Sequence, residues 1–117
     1  MFINFSNHPS ANWSREQLEA ARRYGEVADL SFPVIESSFT KEDILCYVEK
    51  YVEIIQRMKD DNTVVHVMGE MTFTYNIVNA LKKLGLTCVA STTERVAIEN
   101  DDGTKLSEFS FTKFREY

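Results

Sequence analysis

Thr63-Val64-Val65-His66-Val67-Met68-Gly69-Glu70 is the stretch on which the fold turns. Val64, Val65, Val67 and Met68 occupy both parities of the run, so both faces of this strand call for cover. That is the pattern of a central strand in a parallel sheet, flanked by helices above and below. Gly69 follows at once, which lets the chain turn tightly from the strand into the next helix.

Working outward, Asp60-Asp61-Asn62 breaks a long helix whose apolar stripe is Ile44, Val48, Tyr51, Val52, Ile55 and Met58, with Thr40 and Asp43 spaced as a capping box. Downstream, Ile77, Val78, Leu81 and Leu84 mark a helix opening at Thr72 or Thr74 and closed by Gly85, and Leu86 to Ala90 forms the next strand. Toward the N-terminus, Met1 to Phe5 reads as a strand. Ser14-Arg15-Glu16-Gln17 caps a helix from about Arg15 to Tyr24, and Val27 to Leu30 makes another strand before Pro33. Strand, helix, strand therefore repeats, which implies a doubly wound, mainly parallel α/β sheet. Past Arg95 the pattern becomes a β-hairpin, with Val96 and Ile98, the turn Asn100-Asp101-Asp102-Gly103, then Leu106, Phe109, Phe111 and Phe114. The connection from Phe32 to Phe39 is expected to be mobile.

The chain has 117 residues, the size of one domain, so residues 1–117 are expected to form a single unit. A net charge of -5 argues against wrapping of duplex nucleic acid, while leaving room for a small anion in a local pocket. No apolar run reaches the length of a membrane span, and the chain enters a strand without a leader-like segment, so a cytoplasmic protein is expected. Cys46 and Cys88 are isolated from one another and from His, which supports no metal site and no disulfide framework. Both are expected to be buried. No cofactor is implied, because neither G-x-x-x-x-G-K-[ST] nor G-x-G-x-x-G occurs.

Ligands of such sheets settle outside the carboxyl ends of the strands. The polar residues expected there are Ser6, Asn7 and His8 after the first strand, Gly69, Glu70 and Thr72 after the central one, and Ser91, Thr92, Thr93 and Arg95 after the fourth. A helix start behind Gly69 would offer free N–H groups and a positive dipole to a phosphate or carboxylate. Hydroxyls at 91–93 can bind phosphate, ribose or base, and Arg95 presents a planar fork to phosphate. His8 can exchange a proton near neutral pH. Each also has a structural reading: Gly69 as turn, Thr72 as cap, the hydroxyl cluster as turn formers, Arg95 as the partner of Glu94, Asn-His-Pro as a turn, and His66 as a hydrogen-bonded core residue.

Ile3-Asn4-Phe5-Ser6-Asn7-His8, Val65-His66-Val67-Met68-Gly69-Glu70 and Ala90-Ser91-Thr92-Thr93 together resemble the small CRISPR-associated Rossmann-fold proteins, the stand-alone relatives of CARF domains. The resemblance implies a homodimer that binds a cyclic oligoadenylate across its two-fold axis, lined by Ser6, Asn7, Gly69, Thr72, Ser91 and Thr92. In some members it also implies metal-independent cleavage of that ring. The ribose 2′-hydroxyl would attack the adjacent phosphorus, with His8 or Glu70 as base and Arg95 with the Gly69 loop stabilising the phosphorane.

The expectation is thus a compact, Rossmann-like α/β domain with a C-terminal β-hairpin, binding a cyclic oligonucleotide or other nucleotide. Two other classes fit the same residues. One is a nucleoside or nucleotide glycosyl-transfer enzyme with Glu70 as nucleophile; the other is a noncatalytic interaction module presenting Phe109, Phe111 and Phe114.

Overall fold

β3 (Val64–Met68) lies between β1 (Phe2–Ser6) and β4 (Thr87–Glu99) in a five-stranded sheet of order β2-β1-β3-β4-β5, with β2 at Val27–Ser31 and β5 at Lys105–Glu116. The computed structural model describes residues 1–117. The first four strands run parallel, and β5 returns antiparallel to β4. Three helices connect them: α1 (Arg15–Arg22), α2 (Lys41–Met58) and α3 (Met71–Lys83).

The period of two along each strand sorts side chains to opposite faces. Ile3, Phe5, Val65, Val67 and Cys88 pack with the stripes Ile44, Val48 and Ile55 of α2 and Phe73, Ile77, Val78 and Leu81 of α3. Phe2, Val64 and Val89 form a smaller core on the other face with Ala21 of α1, and Trp13 and Phe114 pack against it. Helices on both faces make the sheet doubly wound. β1 sits between β2 and β3, so the chain leaves it in opposite directions, and the β1/β3 boundary is the switch point where α/β sheets open a crevice.

Local signals account for the helix boundaries. Thr40 and Asp43 form both halves of a capping box at the start of α2, and the Ser14 hydroxyl accepts from the Gln17 N–H at the start of α1. Gly85 follows α3 with φ +84°, a conformation that L side chains resist. One boundary differs from the expectation, because α3 begins at Met71 rather than at Thr72 or Thr74. Glu70 serves as its N-cap in place of a threonine.

The second difference is larger. The fourth strand does not end at Ala90 in a polar loop but runs unbroken from Thr87 to Glu99. β3 pairs with it only over Thr87–Val89, whereas β5 continues the ladder from Val89 opposite Glu116 to Glu99 opposite Lys105, with one irregularity at Thr92/Thr93. Backbone groups of residues 91–95 that would otherwise need a turn are satisfied by β5, and the β-branched pair Thr92-Thr93 suits an extended chain. The result is a two-stranded ribbon projecting beyond the parallel sheet, closed at Asn100–Thr104 by a hydrogen bond of 2.8 Å.

The connection after β2 is anchored to the core. Phe32 packs on Phe5 and Phe73 at ring separations of 5.1 and 5.2 Å, and Phe39 packs on Tyr47 at 5.2 Å. No helix is long and apolar enough to cross a membrane.

Leu81 is fully buried beneath α3, whereas Arg95 stands exposed on the ribbon. Leu81→Ala is expected to cost about 2–5 kcal/mol of folding stability, and Arg95→Ala less than about 0.5 kcal/mol. Urea unfolding of the two variants beside the wild type checks both values.

Candidate functional site

Strand register sets Asp29, Asn4 and His66 side by side, since Asn4 lies opposite Asp29 on β2 and opposite His66 on β3. Asn4 and His66 share the α1 face with Phe2 and Val64, and both are buried. The Asn4 Nδ2 donates to Asp29 Oδ1 at 2.8 Å and to the His8 carbonyl at 2.9 Å. Its Oδ1 accepts from the Ser6 hydroxyl at 2.7 Å and lies 2.9 Å from His66 Nδ1. The His8 carbonyl also accepts from the Trp13 indole at 3.1 Å, and Asp29 Oδ2 accepts from the Ser10 hydroxyl at 2.9 Å. One amide therefore ties together the ends of β1, β2 and β3 and the loop leading into α1.

Above this row opens a cleft of about 610 Å³. His8 comes from the loop after β1, Trp13 and Gln17 from the start of α1, His66 and Met68 from β3, Ser91 and Thr93 from β4, and Phe109 and Phe111 from β5. None of its fifteen lining residues is Lys or Arg, and Glu16 and Glu108 stand at its border. The lining offers aromatic side chains and hydrogen-bonding groups. Burial lowers the His66 pKa to about 4, with the charge of His8 adding to the shift, so its imidazole is neutral at pH 7. Phe2, Trp13 and Phe114 surround the His66 ring at 6.0, 5.4 and 5.4 Å.

Of the residues expected at the strand ends, His8, Ser91 and Thr93 meet in this cleft. The others do not converge there. Ser6 is buried within the Asn4 network, and with Asn7 it borders a separate hollow of about 240 Å³ beside β2. Gly69 turns the chain beneath Phe32, whose ring occupies the space a Cβ would need, so its lack of a side chain serves packing. The anion expected at the start of α3 is supplied by the chain itself. The Glu70 carboxylate accepts from the Phe73 N–H at 2.8 Å, the Thr72 N–H at 3.1 Å and the Thr72 hydroxyl at 2.7 Å. The Phe73 N–H, followed by the Thr72 contacts, holds the Glu70 carboxyl below its usual range. A second anion would meet a full negative charge. Thr92 closes onto its cross-strand neighbour, its hydroxyl bonded to the Lys113 backbone at 3.1 Å. Arg95 donates from Nε and Nη2 to the Ser107 hydroxyl at 3.2 and 2.9 Å, because the strand carries it out along the ribbon.

Residues that sequence reasoning passed over include Trp13, Asn4 and Asp29, while Phe111, read there as part of an interaction surface, lines the cleft. His66 is the hydrogen-bonded core residue it was read as, and it also borders the cleft. A signal existed in the sequence: Ile3-Asn4-Phe5, Ala28-Asp29-Leu30 and Val65-His66-Val67 each hold one polar residue amid apolar neighbours. Aligning those three strands would have produced the row. Cys88 is buried, its thiol pushed up to about 11 by that burial, but Cys46 is exposed on α2, contrary to expectation. No group of three or more His, Cys, Asp or Glu is placed to hold a metal ion.

Fold and cleft together define a small doubly wound α/β domain with an aromatic and polar crevice on the α1 side of its sheet. Residues 1–115 match the family model described as the Uncharacterized protein MJ1673 family, and the chain belongs to that family. No curated protein and no solved structure gives a significant match.

The capping bonds of Glu70 are present above the ordinary carboxylate pKa and are lost as pH falls through its lowered value. Glu70→Ala is therefore expected to cost about 1 kcal/mol at pH 7, and the gap from wild type should narrow in paired thermal melts as the pH falls below the ordinary carboxylate range. For His66 the unfolded chain takes up a proton near pH 6.5 and the folded chain only near 4, so acidification between those values removes about 3 kcal/mol of stability. Stability of the wild type should fall across that window, and His66→Phe should flatten the slope when both are unfolded in urea at several pH values.

Proposed function

We propose that this chain is a cytoplasmic nucleotide-binding protein whose ligand is a cyclic oligoadenylate, bound by a homodimer in CRISPR-type antiviral defence. The observation that carries the reading is the cleft itself. It combines the aromatic side chains of Trp13, Phe109 and Phe111 with hydroxyl, amide and imidazole groups from the loop after β1, from β3, β4 and β5, and from the start of α1. Flat bases stack on aromatic side chains, and each such contact contributes about 1–3 kcal/mol. Each of the three segments that resemble the CARF relatives reaches the cleft, through His8, through His66 with Met68, and through Ser91 with Thr93, and the resemblance points to the same ligand class.

The ribbon supports the two-fold partner. A two-stranded β ribbon is marginally stable alone in water, and this one leaves Val96, Ile98 and Leu106 exposed on one of its faces, with Ile98 directly opposite Leu106. A second copy presenting the same ribbon would cover these residues and bring two clefts to one ligand. Of the three residues considered for ring cleavage, only His8 borders the cleft, while Glu70 caps α3 and Arg95 is bonded to Ser107. The geometry therefore favours binding over turnover. It also leaves the glycosyl-transfer reading without its nucleophile, because the Glu70 carboxylate is engaged by the helix it caps.

Cyclic tetra-adenylate or hexa-adenylate is expected to raise the melting temperature, since a ligand that binds only the folded state stabilises it by mass action. Linear oligoadenylates should do so less. Titration calorimetry should find one ring per two chains, and Trp13→Ala should abolish the shift. A panel of cyclic and linear nucleotides that leaves the melting temperature unchanged removes the nucleotide reading.

A further inference from the structure

The orientation of the Asn4 amide is settled by its neighbours. Asp29 Oδ1 and the His8 carbonyl both accept, so the group facing them at 2.8 and 2.9 Å is the NH₂, and the Asn4 oxygen is turned toward His66. That oxygen can only accept. The His66 Nδ1 beside it therefore carries the proton, and a neutral imidazole protonated on Nδ1 has a bare lone pair on Nε2. Nε2 has no hydrogen-bond partner in the protein, although the residue is only 2% exposed. A buried polar atom left unpaired is costly, and few survive without a function. His66 is one of the residues that line the cleft, and Nε2 itself is enclosed in the unliganded chain, with the Trp13 and Phe114 rings beside the imidazole.

We propose that the Asp29–Asn4–His66 row presents Nε2 as a fixed hydrogen-bond acceptor that takes an N–H or O–H donor from the bound ligand. The inference rests on the nucleotide reading and adds a rule of selectivity to it. A nucleotide offers two donors of this kind, the exocyclic amine of adenine and the ribose 2′-hydroxyl. A ligand that places an oxygen acceptor there meets lone pair against lone pair and is rejected, the discrimination that buried polar sites perform best. Asn4 and Asp29 do not touch the ligand; they are positioning residues that hold the tautomer.

Long-range ¹⁵N NMR of the wild-type protein, labelled at histidine, tests the first half without any ligand. His66 is expected to show a protonated Nδ1 and a bare Nε2 at pH 7, and a protonated Nε2 overturns the proposal. The second half uses cyclic tetra-adenylate, its all-inosine congener and its all-2′-deoxy congener. The parent ring should move the Nε2 resonance, and one of the two congeners should bind the wild type about tenfold more weakly. His66→Phe should lose the same factor for the parent ring and show no further loss with that congener. His66→Gln, whose amide oxygen can accept in place of Nε2, should recover part of the affinity and stands in if the Phe variant does not fold. Parent and congeners binding the wild type equally, or an unmoved Nε2 resonance in the bound protein, overturns this inference while the nucleotide reading stands. Failure of every ring to bind the wild type removes the nucleotide reading, and the ligand half of this proposal with it.

Discussion

The Asn4 amide is the constraint around which the strand ends are arranged. All four of its hydrogen-bonding positions are filled, by Asp29, the His8 carbonyl, Ser6 and His66. In a core that is otherwise apolar, each of those bonds replaces one that water would have made, and losing a partner leaves a buried group unsatisfied at about 1–3 kcal/mol. The bonds are also directional, which apolar packing is not. The path of the loop into α1 and the ring orientation of His66 follow from that one side chain, which also ties β1 to β2 and β3 in the register their packing sets.

The two faces of the sheet divide labour for a physical reason. α2 and α3 bring long apolar stripes, so their face closes into a twelve-residue core. α1 is short and contributes Ala21 alone to the buried set on its side. The remaining space is filled by aromatic rings, with Phe2, Trp13, Phe114 and His66 in mutual contact, and rings at a sheet edge leave a crevice where aliphatic chains would close it. The cleft is the unfilled part of that thinner layer, bounded on its open side by the ribbon.

Charge explains why the start of α3 departs from the anion site expected there, and why the start of α1 differs from it. α3 begins beneath a carboxylate from its own chain, which satisfies the Thr72 and Phe73 N–H groups and offsets the dipole. α1 begins beneath a neutral serine, and its first turn faces the cleft through Trp13, Ser14 and Gln17. No Lys or Arg lines that cleft, so an anionic ligand would have to keep its phosphates toward solvent and insert its uncharged parts.

Local sequence determined the parallel α/β class, the helix caps, the hairpin turn and the central place of β3, because periodicity, capping pairs and turn residues act over a few residues and are legible in a single chain. The capping box at Thr40 and Asp43, the apolar stripe of α2 and the Asn100–Gly103 turn all lie where the pattern put them. Only the tertiary structure decided that Ser91 to Arg95 stays extended, since that depends on β5 supplying a ladder from 14 to 23 residues downstream. Only it brought Asp29, Asn4 and His66 into one row, because register is set by whole strands packing on two cores. Gly69 shows the limit most plainly: the sequence marks a glycine after a strand, but whether the space beside it holds a ligand or the ring of Phe32 is a question of what else folds there.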